Sequence, residues 1–125
     1  MDHKELEAWK QTIELIEKIY RLSKQFPKEE LYGITLQIRR AAVSIASNIS
    51  EGAARNSKKE FLNFLNYSLG SLAEVETQLI IASRLQYYTD SLDVFIDINR
   101  IRALILGVRN YLRRKGERGD VKGEG

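Results

Sequence analysis

Cysteine is absent, so neither a disulfide nor a thiolate metal site can form. Histidine occurs once, at His3 beside the terminus. The single proline is Pro27, and turn residues are sparse before position 116, a pattern that favours long helices. No stretch approaches the ~20 uninterrupted apolar residues of a membrane span. The charged start Met-Asp-His-Lys-Glu leads straight into a helical pattern and does not read as a signal peptide, so a cytoplasmic location is expected. What remains is a chain of 125 residues, 43% hydrophobic and 30% charged, which suits one soluble domain with a core.

Periodicity divides that chain into four helices. The first is expected from about Lys4 to Gln25, with Asp2 and Glu5 at capping-box spacing. Leu6, Trp9, Ile13, Ile16 and Tyr20 line one face, and Ala8, Leu15, Ile19, Leu22 and Phe26 another. Pro27, Glu29 and Glu30 open a second helix reaching about Ala54. Its seam is Leu31, Ile34, Ile38, Ala41, Ile45, Asn48 and Gly52, with a second line of Leu36, Val43, Ser47 and Ala54. Gly33 falls inside this helix at a cost of about 1 kcal/mol, which a close helix neighbour would explain.

Ser57 and Glu60 cap a third helix, from about Lys58 to Gln86. Phe61, Leu65, Ser68, Leu72, Val75, Leu79 and Ala82 follow an unbroken 4-3 pattern, the period of left-handed bundle packing. Leu62, Leu69, Ala73 and Ile80 form a second line, and Gly70 suggests a tight crossing. Asp90 and Asp93 can cap a fourth helix, from about Leu92 to Lys115, with Val94, Ile98, Ile101, Ile105, Val108 and Leu112 inward. Gly116 is a natural stop, and 117–125 reads as a disordered polar tail beyond a single domain over 1–116.

The expected fold is therefore all-α, an up-down-up-down four-helix bundle. One apolar stripe per helix suffices for a bundle, and three of these helices carry two. The surplus points to a homo-oligomer; the alternative is that the second lines only broaden one core face.

Catalytic chemistry finds little support. A di-metal carboxylate site needs Glu-x-x-His on two helices, which one histidine cannot supply. The helical serines lack a base, and Gly33, Gly52 and Gly70 are isolated rather than part of a phosphate loop. Neither an enzyme nor a cofactor is expected. Ser44, Asn48, Glu51 and Gly52 stand out as polar or small positions on the second helix, read either as internally satisfied groups or as ligand contacts.

Charge is the lead to a partner. Residues 31–60 hold five basic and two acidic groups, and 99–115 hold six basic and none acidic. Arg39, Arg40, Arg55, Lys58, Lys59, Arg109, Arg113 and Arg114 are the candidate phosphate contacts for RNA or DNA. A solvated face with helix-end compensation is the competing account, under which the protein is a structural or adaptor ring. Tyr87 and Tyr88 suggest the one exposed aromatic loop pair.

Several of these segments together carry a resemblance. Phe26-Pro27-Lys28-Glu29-Glu30, Gln37 through Ile45, Asn48-Ile49-Ser50-Glu51-Gly52, Arg55, Lys59-Glu60-Phe61 and Gly70-Ser71-Leu72-Ala73-Glu74 follow in order. The chain resembles the bacterial proteins named for an intervening sequence in the 23S ribosomal RNA gene, most strongly from Phe26 to Leu85. The resemblance implies a ring-shaped homopentamer of four-helix bundles without established enzymatic activity. It also implies kinship in fold with the accessory proteins of diversity-generating retroelements, basic pentamers that bind nucleic acid and partner a reverse transcriptase. Two departures are visible. Ala46 stands where the family often has proline, and Ser68-Leu69 where it more usually has Ala-Arg. The missing arginine weakens any phosphate contact from the third helix.

Overall fold

The computed structural model describes residues 1–90 and 93–124, with side chains as far as 115. Among these residues there are four α-helices and no strand. They are α1 (Glu7–Ser23), α2 (Ile34–Ala53), α3 (Lys58–Arg84) and α4 (Val94–Glu124). α1 packs on α2 and α4, and α3 packs on the same two helices. Along the largest contact, Ser44 meets Ser71, Ile45 meets Ser68, and Gly52 lies against Phe61 and Phe64, so α2 and α3 run past each other in opposite directions.

The core reproduces the expected seams of α3 and much of that of α4. All seven α3 positions are buried, as are Val94, Ile98, Ile101, Ile105 and Leu112. α1 differs. Its core stripe is Ala8, Thr12, Leu15, Ile19, Leu22 and, past the helix end, Phe26, whereas Tyr20 of the other face is 40% exposed. Thr12 belongs inside because its hydroxyl donates to the Ala8 carbonyl at 2.6 Å, which satisfies it without water.

Helix boundaries move where glycine and proline act locally. Asp2 caps only a 3-10 turn over His3–Glu5, accepting from the Lys4 N–H, and α1 starts after extended Leu6. Residues Lys28–Glu30 form a second 3-10 turn, and Gly33 is the N-cap of α2 rather than an interior residue. Leu31 therefore falls outside the core, half exposed, beside an exposed Tyr32. The close approach expected at Gly33 and Gly70 occurs at Gly52. A Cβ there would lie 2.8 Å from Phe64 Cβ and 2.9 Å from Phe61 Cδ1, whereas one at Gly70 would meet nothing within 4 Å.

Caps fix the remaining ends. The Ser57 hydroxyl accepts from the Glu60 N–H at 3.0 Å, and the Asp90 carboxylate accepts from the Val94 N–H at 3.0 Å. α4 continues past Gly116, where the sequence pattern places a stop; the side chains of the tail expected over 117–125 lie outside the described residues.

α3 ends in a Schellman motif: Tyr87 N–H donates to the Ala82 carbonyl and Gln86 N–H to that of Ser83. Gln86 takes the left-handed position, at φ 61°. Glycine fits that position without a Cβ penalty. Gln86→Gly is expected to raise stability by about 0.5–1 kcal/mol, read as a higher denaturant midpoint with an unchanged slope.

The two tyrosines that follow are not an exposed pair. Both are half-buried against Phe26, with ring centroids 5.9 and 6.0 Å away, and the Tyr87 hydroxyl donates to the Glu30 carboxylate. Partial burial, then the neighbouring carboxylates, hold both phenols above their usual range.

Candidate nucleic-acid interface

The polar motif of α2 follows helical spacing. Arg40, Ser44, Ser47, Asn48, Glu51 and Arg55 recur at three- and four-residue steps and share one side of the helix. Asn48 is half-buried at the α2–α3 seam and not in the core as its heptad position predicts. Its side-chain amide donates to the Ser44 carbonyl at 2.8 Å and to the Ser44 hydroxyl at 2.9 Å. Ser44 in turn bonds Ser71 of α3 at 2.9 Å. The polar groups thus satisfy one another across two helices, which the small residues beside them allow. Beside this cluster lies an open groove of about 710 Å³, lined by Tyr20, Leu36, Arg39, Arg40 and Val43 together with Ser44, Ser47 and Asn48.

Two motif arginines serve the protein itself. Arg39 Nε donates to the Ser23 hydroxyl at 2.8 Å, its terminal nitrogen reaches the Tyr20 carbonyl, and its guanidinium stacks over the Tyr20 ring. That carbonyl lies in the last turn of α1, where acceptors lack intrahelical donors and the dipole favours a cation. Arg55 pairs with Glu51 at 3.1 Å and covers the Phe64 ring. Because the pair is about half exposed, its worth is a few tenths of a kcal/mol.

The other candidates are Arg40 on α2 and five residues of α3 and α4. Arg109 is half-buried, reaches Asn66 Oδ1 at 3.5 Å, and has a buried Nε without a partner. Arg102 binds Glu76 at 2.8 Å, and Lys18 of α1 pairs with Asp97 of α4. Arg40, Lys58, Lys59, Arg113 and Arg114 are exposed and make no ion pair among the described residues. The expected set is therefore divided: five members face solvent, and Arg39, Arg55 and Arg109 have partners inside the protein. Tyr20, Ser23 and Ser71 complete these networks, a role that the apolar line holding Tyr20 and the family run holding Ser71 do not signal. Their partners lie 16 to 27 residues away along the chain.

Among the described residues no three His, Asp or Glu side chains come together as a metal site, and no helix is long and apolar enough to cross a membrane. Four packed helices with a polar seam and a divided basic surface define an all-α protein of the helical-bundle kind. The chain belongs to the 23S rRNA-intervening sequence protein family, whose model matches residues 4–107. It is similar in structure to a protein of unknown function from the S23 ribosomal protein family of Bacteroides thetaiotaomicron, solved at 1.70 Å. The TM-score is 0.75 and the identity 26%, over 88% of this chain and 99% of the other. No functionally curated protein matches the sequence.

Proposed function

We propose that the protein is a non-enzymatic up-down-up-down bundle that assembles as a ring-shaped homopentamer and binds RNA or DNA through its basic surface. The observation that carries the binding reading is the solvent-facing set Arg40, Lys58, Lys59, Arg113 and Arg114, which makes no ion pair among the described residues. Repetition of such a patch by symmetry builds a field stronger than one protomer provides. Self-association is supported by apolar side chains left outside the core on different sides. Leu31, Tyr32 and Val43 belong to α2 and its lead-in, whereas Tyr67, Ile80, Ile81, Ile96 and Tyr111 belong to α3 and α4. Two unlike patches suit the head-to-tail contact that closes rings. The number five rests on the family resemblance, as does a reverse transcriptase as a further partner.

The test is light scattering of the protein alone and with a structured RNA, at low and moderate salt. Changing Lys58, Lys59, Arg113 and Arg114 together to glutamine should weaken binding and lower the salt slope by about 3, at 0.7–0.9 per phosphate contact. An unchanged slope would sink the phosphate reading. A second reading is an adaptor ring that docks another protein, and the internal engagement of Arg39, Arg55 and Arg109 favours it. Under that reading, charge reversal at Arg109 and Arg113 leaves the cellular partners unchanged.

A further inference from the structure

A smaller pocket, of about 410 Å³, lies at the corner where α1 gives way to α2. That volume is within the ~300–1,000 Å³ range of small-molecule sites. Phe26, Pro27 and Leu31 supply an apolar wall, and Lys24, Lys28 and Arg39 supply its charge; no carboxylate lines it.

Two independent features there ask for an acceptor. Thr35, the second residue of α2, lines the pocket, is 4% exposed, and its Oγ1 has no hydrogen-bond partner. A buried hydroxyl in that condition has given up its hydrogen bonds to water without a replacement. The second feature is the start of α2. Its N-cap is Gly33, which offers no side-chain acceptor to the first-turn N–H groups. A helix of 20 residues then presents its first-turn donors and the positive end of its dipole. Two charges adjoin it: Arg39 donates to the Tyr20 carbonyl in the last turn of α1, and the Glu30 carboxylate, with Oε1 beside Gly33 and Oε2 accepting from Tyr87, does not line the pocket.

We infer that this corner binds a small organic anion, a carboxylate or phosphomonoester carried on an apolar body. The apolar part lies against Phe26, Pro27 and Leu31. The anionic head accepts hydrogen bonds from the Thr35 hydroxyl and from the first-turn N–H groups of α2, with Lys24 and Lys28 at the rim. Neither half suffices alone, because the wall offers no polar contact to a bare ion and the donors are left unmet by a neutral apolar molecule.

The experiment is an amide-resolved NMR titration of the full chain with phenyl phosphate, benzoate, benzyl alcohol and inorganic phosphate. Phenyl phosphate or benzoate should shift the amides of Ile34, Thr35 and Leu36, and whichever binds tighter identifies the headgroup. Benzyl alcohol and inorganic phosphate should bind about tenfold more weakly, the usual weight of one charge-assisted contact. Thr35→Val removes only an unpartnered hydroxyl and is expected to keep the fold, checked by circular dichroism. That variant and the double change Lys24→Gln with Lys28→Gln should each weaken the anion about fivefold or more. The inference is overturned if neither anion shifts these amides or if benzyl alcohol or inorganic phosphate binds as tightly as the organic anions. Unaltered anion binding in both variants overturns it too.

Discussion

Gly52→Leu is expected to lower stability by at least about 3 kcal/mol, while Gly70→Ala on the same pair of helices raises it by about 0.5–1 kcal/mol. The first figure follows from contact. A Cβ at Gly52 would lie 2.8 and 2.9 Å from two phenylalanine side chains and 3.3 Å from the Phe61 carbonyl oxygen. The carbonyl belongs to the α3 backbone, so relief requires separating α2 from α3, the most extensively packed pair of helices. At Gly70 the space is open, and alanine only reduces the conformational freedom that the unfolded chain must lose. Urea denaturation of both variants measures the difference. Equal effects of like sign would show that α2 and α3 do not approach closely at Gly52.

The second large effect concerns the inward face of α1. Leu15→Ala should cost about 2–5 kcal/mol, and Ile13→Ala about 1 kcal/mol or less. Leu15 is 1% exposed within a stripe running from Ala8 to Phe26, whereas Ile13 is half-buried at the edge. Truncating Leu15 loses transfer energy and leaves a cavity, and truncating Ile13 leaves a surface that water can fill. Reversal of the two costs in thermal or urea denaturation would exchange the two faces of α1. An Ile13 effect that appears only in the mass measured by light scattering would instead place that residue at a subunit contact.

These two cases show where local pattern stops. The α3 seam from Phe61 to Ala82 was legible because its 4-3 spacing holds without interruption and no competing line is as regular. The Ser57 and Asp90 caps were legible because their partners lie three and four residues away. α1 was ambiguous because it carries two apolar lines, the inward one broken at Thr12, and which one faces inward depends on neighbours elsewhere in the chain. Thr12 reads as a polar interruption until its hydroxyl is seen bonded to Ala8.

The candidate site divides in the same way. Clustering of positive charge is a property of composition, and it marked eight cations alike, of which Arg40, Lys58, Lys59, Arg113 and Arg114 are exposed without an ion pair among the described residues. Arg39 carries the same charge, yet in the fold it serves the last turn of α1 and a tyrosine ring. Asn48 sits at a heptad core position, yet it is half-buried, bonds Ser44 one turn back on the same helix and lines the groove.

By itself the sequence determined four helices, the seam of α3, the family and the excess of positive charge. Each of these is carried by residues within a few positions of one another or by simple sums. Tertiary structure alone decided which glycine marks a close approach, which face of α1 lies inward and which arginines remain available to a partner. Those outcomes depend on contacts between residues distant in the chain, where steric exclusion and hydrogen-bond satisfaction override local propensity.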